Sequence, residues 1–107
     1  MANRWGIPKD VEDFVKQRDK NCVYCGQEFF GQPVSRKHKP SWEHIENDIR
    51  ITGTDNISLC CISCNASKGA KLLEEWFQSD YCKRNNINED SVAMVVKEAV
   101  KKPPELK

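Results

Sequence analysis

Two Cys-x-x-Cys pairs, Cys22/Cys25 and Cys61/Cys64, constrain this chain more than any other feature in it. Two intervening residues let both thiolates of a pair turn toward one ion about 2.3 Å away, and two pairs complete a tetrahedral four-cysteine zinc site. Gly26 follows the first pair and frees backbone amides to face the sulfurs. The second pair leads into a helical pattern, whose positive end favours thiolate charge. Disulfides and redox chemistry are the alternatives. A redox Cys-x-x-Cys of the thioredoxin kind follows a buried strand in a βαβ pattern, which is not visible here. Cys60 adjoins Cys61 and is an alternative ligand, though its spacing to Cys64 is less usual. Cys82 has no partner and reads as a small buried hydrophobe. Four thiolates leave no position open for water, so such an ion holds the fold and does no chemistry.

Composition explains why a staple is needed. A chain of 107 residues suits one domain, and 38% apolar residues give it a lean core. No stretch approaches the roughly 20 apolar residues that span a bilayer, and the first ten residues lack the apolar centre of a signal peptide. These features, with cysteines kept reduced for metal, read as a soluble cytoplasmic protein. The net charge of +1, from 17 Lys+Arg against 16 Asp+Glu, weighs against an architectural nucleic-acid binder more than against an enzyme.

Periodicity sketches the elements. Pro8 to Asp19 reads as a helix with Val11, Phe14 and Val15 as its apolar stripe. Gln27 to Pro40 looks like a basic loop, and Ser41 to Ile45 and Asn56 to Leu59 read as short strands. Asn47, Asp48, Gly53 and Asp55 mark turns between them. A helical pattern starts at Ser63 and runs toward Asp80, with Leu72, Leu73, Trp76 and Phe77 on one face. A last helix spans about Glu89 to Lys101, capped by Asn88 or Asp90.

Between and just after the cysteine pairs stand Glu43-His44-Ile45, Asn56-Ile57, Cys61-Ile62-Ser63-Cys64-Asn65 and Ser67-Lys68-Gly69. In this order they resemble the HNH endonuclease family, over Cys22 to Gly69. That family has a ββα-metal unit, with an acidic residue and a histidine at the end of the first strand. An asparagine follows in the hairpin, and a His or Asn opens the helix. The resemblance implies an α+β fold: a small treble-clef or ββα-metal domain, one unit over residues 1–107, with a structural zinc on four cysteines and flanking helices. It implies a DNA endonuclease leaving 5′-phosphate and 3′-hydroxyl ends. Asn65 stands where many members carry histidine, and Glu43 where many carry aspartate.

The chemistry of the residues is consistent with this. Phosphodiester hydrolysis needs a deprotonated water and stabilisation of charge on the phosphate. His44, with an ordinary pKa of about 6.5, can take the water's proton near neutral pH. Glu43 and Asn65 offer hard oxygen ligands suited to magnesium or manganese. Asn56 resembles the middle asparagine of the motif, which ties the hairpin and orients the histidine. Lys68 and the cluster Arg36, Lys37 and Lys39 are candidate contacts to DNA phosphates; Arg50 is a weaker one. His38, Trp42 and Trp76 read as structural. Each motif residue also has a plain reading: Glu43 as a solvent-facing strand residue, Asn56 as a turn residue, Asn65 as a helix cap. A non-catalytic treble-clef zinc module that binds nucleic acid or protein is the alternative for the whole chain. With no separate recognition module evident, low sequence specificity or nicking is expected, and cutting both strands would need a homodimer or two encounters.

Overall fold

The computed structural model describes residues 6–29 and 39–105. In chain order these form α1 (Lys9–Arg18), β1 (Pro40–His44), β2 (Ile57–Cys61), α2 (Ile62–Lys68), α3 (Leu73–Phe77), α4 (Asp80–Arg84) and α5 (Met94–Lys101). The protein is thus a small α+β fold built on one antiparallel hairpin. Its register runs from Pro40 opposite Cys61 to His44 opposite Ile57. Among the described residues no helix is long and apolar enough to cross a membrane.

Alternation along the strands sorts the hairpin into two faces. Ser41 and Glu43 share one with Ser58 and Cys60, while Trp42 and His44 share the other with Leu59 and Ile57. Helix α2 continues directly from β2, and its Asn65 and Lys68 meet the polar face through Ser41 and Glu43. Helix α1 reaches the hairpin through its last turn. Arg18 grips Asp19 through both carboxylate oxygens and donates to the Thr54 and Ile57 carbonyls, and Asp19 accepts from the Leu59 amide at 3.0 Å. Acidic residues in the first turn of α1 and basic ones in its last match the helix dipole. Trp76 is fully buried at the core and stacks edge-on against Tyr24, with centroids 4.9 Å apart.

Several expected boundaries move. Both strands shift by a residue or two, and β2 runs on through Cys60 and Cys61 into the ligand pair. The single helix expected toward Asp80 is three short ones. Gly69, at a φ of +51° that glycine tolerates best, closes α2. Ser79 then caps α4 by accepting from the Cys82 amide, so Asp80 begins a helix and does not end one. Asn88 does accept from the amides of Asp90 and Ser91, but it closes a turn ahead of α5, which starts at Met94. Phe14 is exposed, under the Arg18 guanidinium, and the buried positions of α1 are Glu12 and Val15. A local cap or an apolar side chain suits more than one surrounding, and packing selects among them.

Candidate metal centre and the hairpin beside it

The first cysteine pair sits in a tight turn. Cys22 accepts at 3.4 Å from the amides of Tyr24 and Cys25, and the Gly26 amide returns to the Cys22 carbonyl. Gly26 has a φ of +80°, so glycine is needed for that return. The turn is pinned to β2 by the Val23 amide donating to the Leu59 carbonyl. Cys61 closes β2 and caps α2, its sulfur accepting from the Cys64 amide at 3.4 Å. The two pairs therefore converge, and the sulfurs of Cys22, Cys25, Cys61 and Cys64 all lie within 4.8 Å of one another. Such a set can hold one metal ion. Cys60 points to the other side of β2, toward Ser41, and is not in the cluster; Cys82 is buried apart from it.

The four thiols share their hydrogen bonds unequally. Hydrogen bonds from Cys25, Cys61 and Cys64 hold Cys22 well below the ordinary thiol range, while bonding to Cys22 pushes Cys64 above it. Tyr81 completes the surround, with its hydroxyl 3.3 Å from the Cys64 sulfur and 2.9 Å from the Ser63 hydroxyl. Nothing local in the sequence connects Tyr81 to the cysteines, because only the fold of α4 over α2 brings it there.

The remaining expected site residues lie along the hairpin. His44 is half-buried at the last pair of β1. Its pKa is lowered, first by burial and then by the charge of Lys68, against an opposing pull from Asp48. Asp48 itself is held down to about 2 by hydrogen bonds from Arg50. Asn56 is fully buried and ties the connection between the strands. It accepts from the Glu46 amide at 2.6 Å and donates to the Glu46 and Ile51 carbonyls. Asn65 donates to the Ser41 hydroxyl and the Trp42 carbonyl, each at 3.1 Å, which locks α2 onto β1.

Glu43 and Lys68 differ from expectation. The strand pairing around Glu43 and His44 has no bulge, so the two side chains leave on opposite faces. Glu43, only 6% exposed, turns inward, where Tyr24 donates to its Oε2 at 2.6 Å and Lys68 approaches the same oxygen at 3.2 Å. Burial raises its pKa, and Lys68 and Tyr24 pull the other way without cancelling the rise. Lys68 is 1% exposed, so the expected phosphate contact is corrected: its ammonium neutralises a buried carboxylate. Tyr24, one of the two residues inside the first Cys-x-x-Cys, is the partner that sequence reasoning missed. Lys39 is exposed beside β1, and Arg36, Lys37 and His38 lie outside the described residues. Trp76 is core, its indole donating to Ser67, while Trp42 is half-buried beneath Lys16.

Glu43 and Asn65 thus share the seam between β1 and α2, and both present the hard oxygens that a divalent cation prefers. Asn65 commits its amide N–H groups, which leaves Oδ1 without a donor among the described residues. Ser58, opposite Glu43 across the hairpin, is fully buried and its hydroxyl meets no partner among them. Of these oxygens only the Ser58 hydroxyl is buried and unmatched, and the Glu43 carboxylate is already met by Tyr24 and Lys68. Comparison of the chain with profiles of protein families, with curated proteins and with solved structures finds no match.

Proposed function

We propose that the protein is a zinc-stapled DNA endonuclease of the HNH kind, with the four cysteines as a closed treble-clef zinc site and His44 as the general base. The observation that carries this is the hairpin and α2 forming one unit, clamped by the cysteine cluster at one end and presenting His44 at the other. Zinc is the ion that four clustered thiolates suit best, and a site so closed keeps it structural.

His44 takes the proton of the attacking water. Burial and the Lys68 charge both favour the neutral imidazole that a base requires. Asn56 holds the 46–51 turn against the end of β1 and so fixes where the imidazole stands. Glu43 and Asn65 would be the oxygen ligands of a magnesium or manganese ion that supplies charge stabilisation on the phosphate, which requires the Glu43 carboxylate to leave Lys68 and reach the His44 side of β1. Lys39, exposed beside the hairpin, and Arg36 and Lys37 before it are the candidates for contacts to flanking phosphates.

Purified protein is incubated with supercoiled plasmid and magnesium or manganese, beside a His44→Ala variant checked for zinc content and folding. The expected result is nicked plasmid with the parent and none with the folded variant. The burial of Glu43 against Lys68 favours a second reading, a zinc module that binds nucleic acid without cutting it. Two proteins that bind DNA equally and cut with no divalent metal would select that reading. A linear product with no nicked intermediate would instead replace monomeric nicking by concerted cleavage in a dimer.

A further inference from the structure

One sulfur of the cysteine cluster stands apart from the other three. Cys22 accepts from the amides of Tyr24 and Cys25, Cys61 accepts from the Cys64 amide, and the Tyr81 hydroxyl lies 3.3 Å from the Cys64 sulfur. A metal-bound Cys64 thiolate carries no hydrogen, so in that state the hydroxyl is the donor. Cys22, Cys61 and Cys64 are all buried. Cys25 differs on both counts. It is partly exposed, and among the described residues no N–H or O–H donates to its sulfur. The amides of its own turn are committed elsewhere: Tyr24 and Cys25 to the Cys22 sulfur, and Gly26 to the Cys22 carbonyl.

We infer that Cys25 is a covalent modification site, the ligand at which peroxides and other soft electrophiles enter the cluster, which rests on the reading of the cluster as a zinc site. Four thiolates deny water a place on the metal, but a partly exposed sulfur still turns a lone pair to solvent. Each hydrogen bond to a thiolate draws electron density from the sulfur and lowers its nucleophilicity. Burial denies the reagent access as well. Donors and burial guard Cys22, Cys61 and Cys64 together, and both are missing at Cys25.

With hydrogen peroxide the step balances without a further reactant. A Cys25 lone pair attacks one peroxide oxygen, the O–O bond breaks, and hydroxide leaves with the electron pair of that bond. The Cys25 sulfenic acid is then attacked by the Cys61 thiolate, whose sulfur lies 3.7 Å from that of Cys25. An S–S bond forms and a second hydroxide departs. Two sulfurs have been oxidised, one peroxide reduced, and zinc keeps only two of its thiolates. The staple thus opens from the turn that carries Cys25.

The test uses the full chain loaded with zinc, its metal content confirmed by atomic emission. Iodoacetamide is added below one equivalent, and the alkylated cysteines are mapped by mass spectrometry. Cys25 is expected to react about tenfold or more faster than any other cysteine. Tyr81→Phe keeps the ring against Trp76 and removes only the donor to Cys64, so alkylation of Cys64 should rise while that of Cys25 holds. Peroxide added to the parent should release zinc to a chromophoric chelator in step with a Cys25–Cys61 disulfide. Alkylation that starts at another cysteine, or spreads evenly over the four ligands, overturns Cys25 as the site and leaves the zinc reading intact. Unchanged Cys64 alkylation in folded Tyr81→Phe overturns the guarding role of the donors, and zinc released with Cys25 still reduced overturns the peroxide route. A folded chain that takes up no zinc overturns both readings.

Discussion

At one end of the hairpin, four sulfurs converge, and backbone amides point at one of each pair: Tyr24 and Cys25 toward Cys22, and Cys64 toward Cys61. At the other end, His44 and Asn56 stand where the strands part, and one side-chain amide ties the turn by accepting from the Glu46 amide and donating to the Ile51 carbonyl. The first arrangement is fixed by turn geometry and its four sulfurs can surround one ion. The second is held by single side chains and is half-open. Backbone-directed donors make a rigid and closed site, whereas side-chain donors make one that can adjust. On the proposed function the closed end is the staple and the other end carries the chemistry.

Stripping the metal tests the staple and has the largest expected effect. Structural zinc supplies on the order of 10 kcal/mol to small domains, comparable to their whole stability. Chelation or Cys61→Ala should therefore abolish the cooperative thermal transition followed by circular dichroism. Cys60→Ala, one residue away on the opposite face of β2, should cost about 1 kcal/mol and keep one metal per chain by atomic emission.

The seam between the ends should respond next. Glu43→Gln and Lys68→Met each leave a buried group without its counterpart, so each should cost about 3–5 kcal/mol in urea denaturation. The double variant should recover much of that loss, and a strictly additive double would deny the pair any coupling. At the open end, His44→Ala should lower plasmid nicking by about 10²–10⁴ while changing stability by less than about 1 kcal/mol. Asn56→Ala removes three hydrogen bonds from a buried connection and should cost about 2–3 kcal/mol, with faster amide exchange over residues 46–51.

The smallest effect is that of pH. Burial, aided by Lys68, sets the His44 pKa below its ordinary value, with Asp48 opposing. The unfolded chain therefore binds that proton more readily than the folded one. The contribution to stability is present above about pH 6.5 and lost as pH falls through the folded value. The acid limb of nicking should accordingly fall below about pH 6.5, and Asp48→Asn should move it lower still. An acid limb above that value would remove His44 from the role of base.

Much of this was legible in the residues. The two Cys-x-x-Cys pairs announce a common cluster able to hold an ion because the spacing itself sets the geometry, and Asn56 lies in the turn that its neighbours Gly53 and Asp55 advertise. Glu43 and His44 read together as adjacent letters, yet a strand sends neighbours to opposite faces, and no bulge intervenes. Lys68 reads as a surface cation because lysine usually is one. Its burial depends on a carboxylate 25 positions earlier, which only the docking of α2 on β1 brings near.

A cysteine-stapled hairpin followed by a helix, and the set of polar residues gathered around it, were already written in the chain. They follow from local rules: ligand spacing, strand alternation and the backbone freedom of Gly26 and Gly69. Packing of the elements selected Cys61 over Cys60 for the cluster, closed Tyr81 over it, and set the charge of Glu43 against Lys68. Each of these is a choice of partner across many residues of chain. A side chain's neighbours along the chain cannot specify it, because the same carboxylate or ammonium is equally suited to water until packing takes the water away.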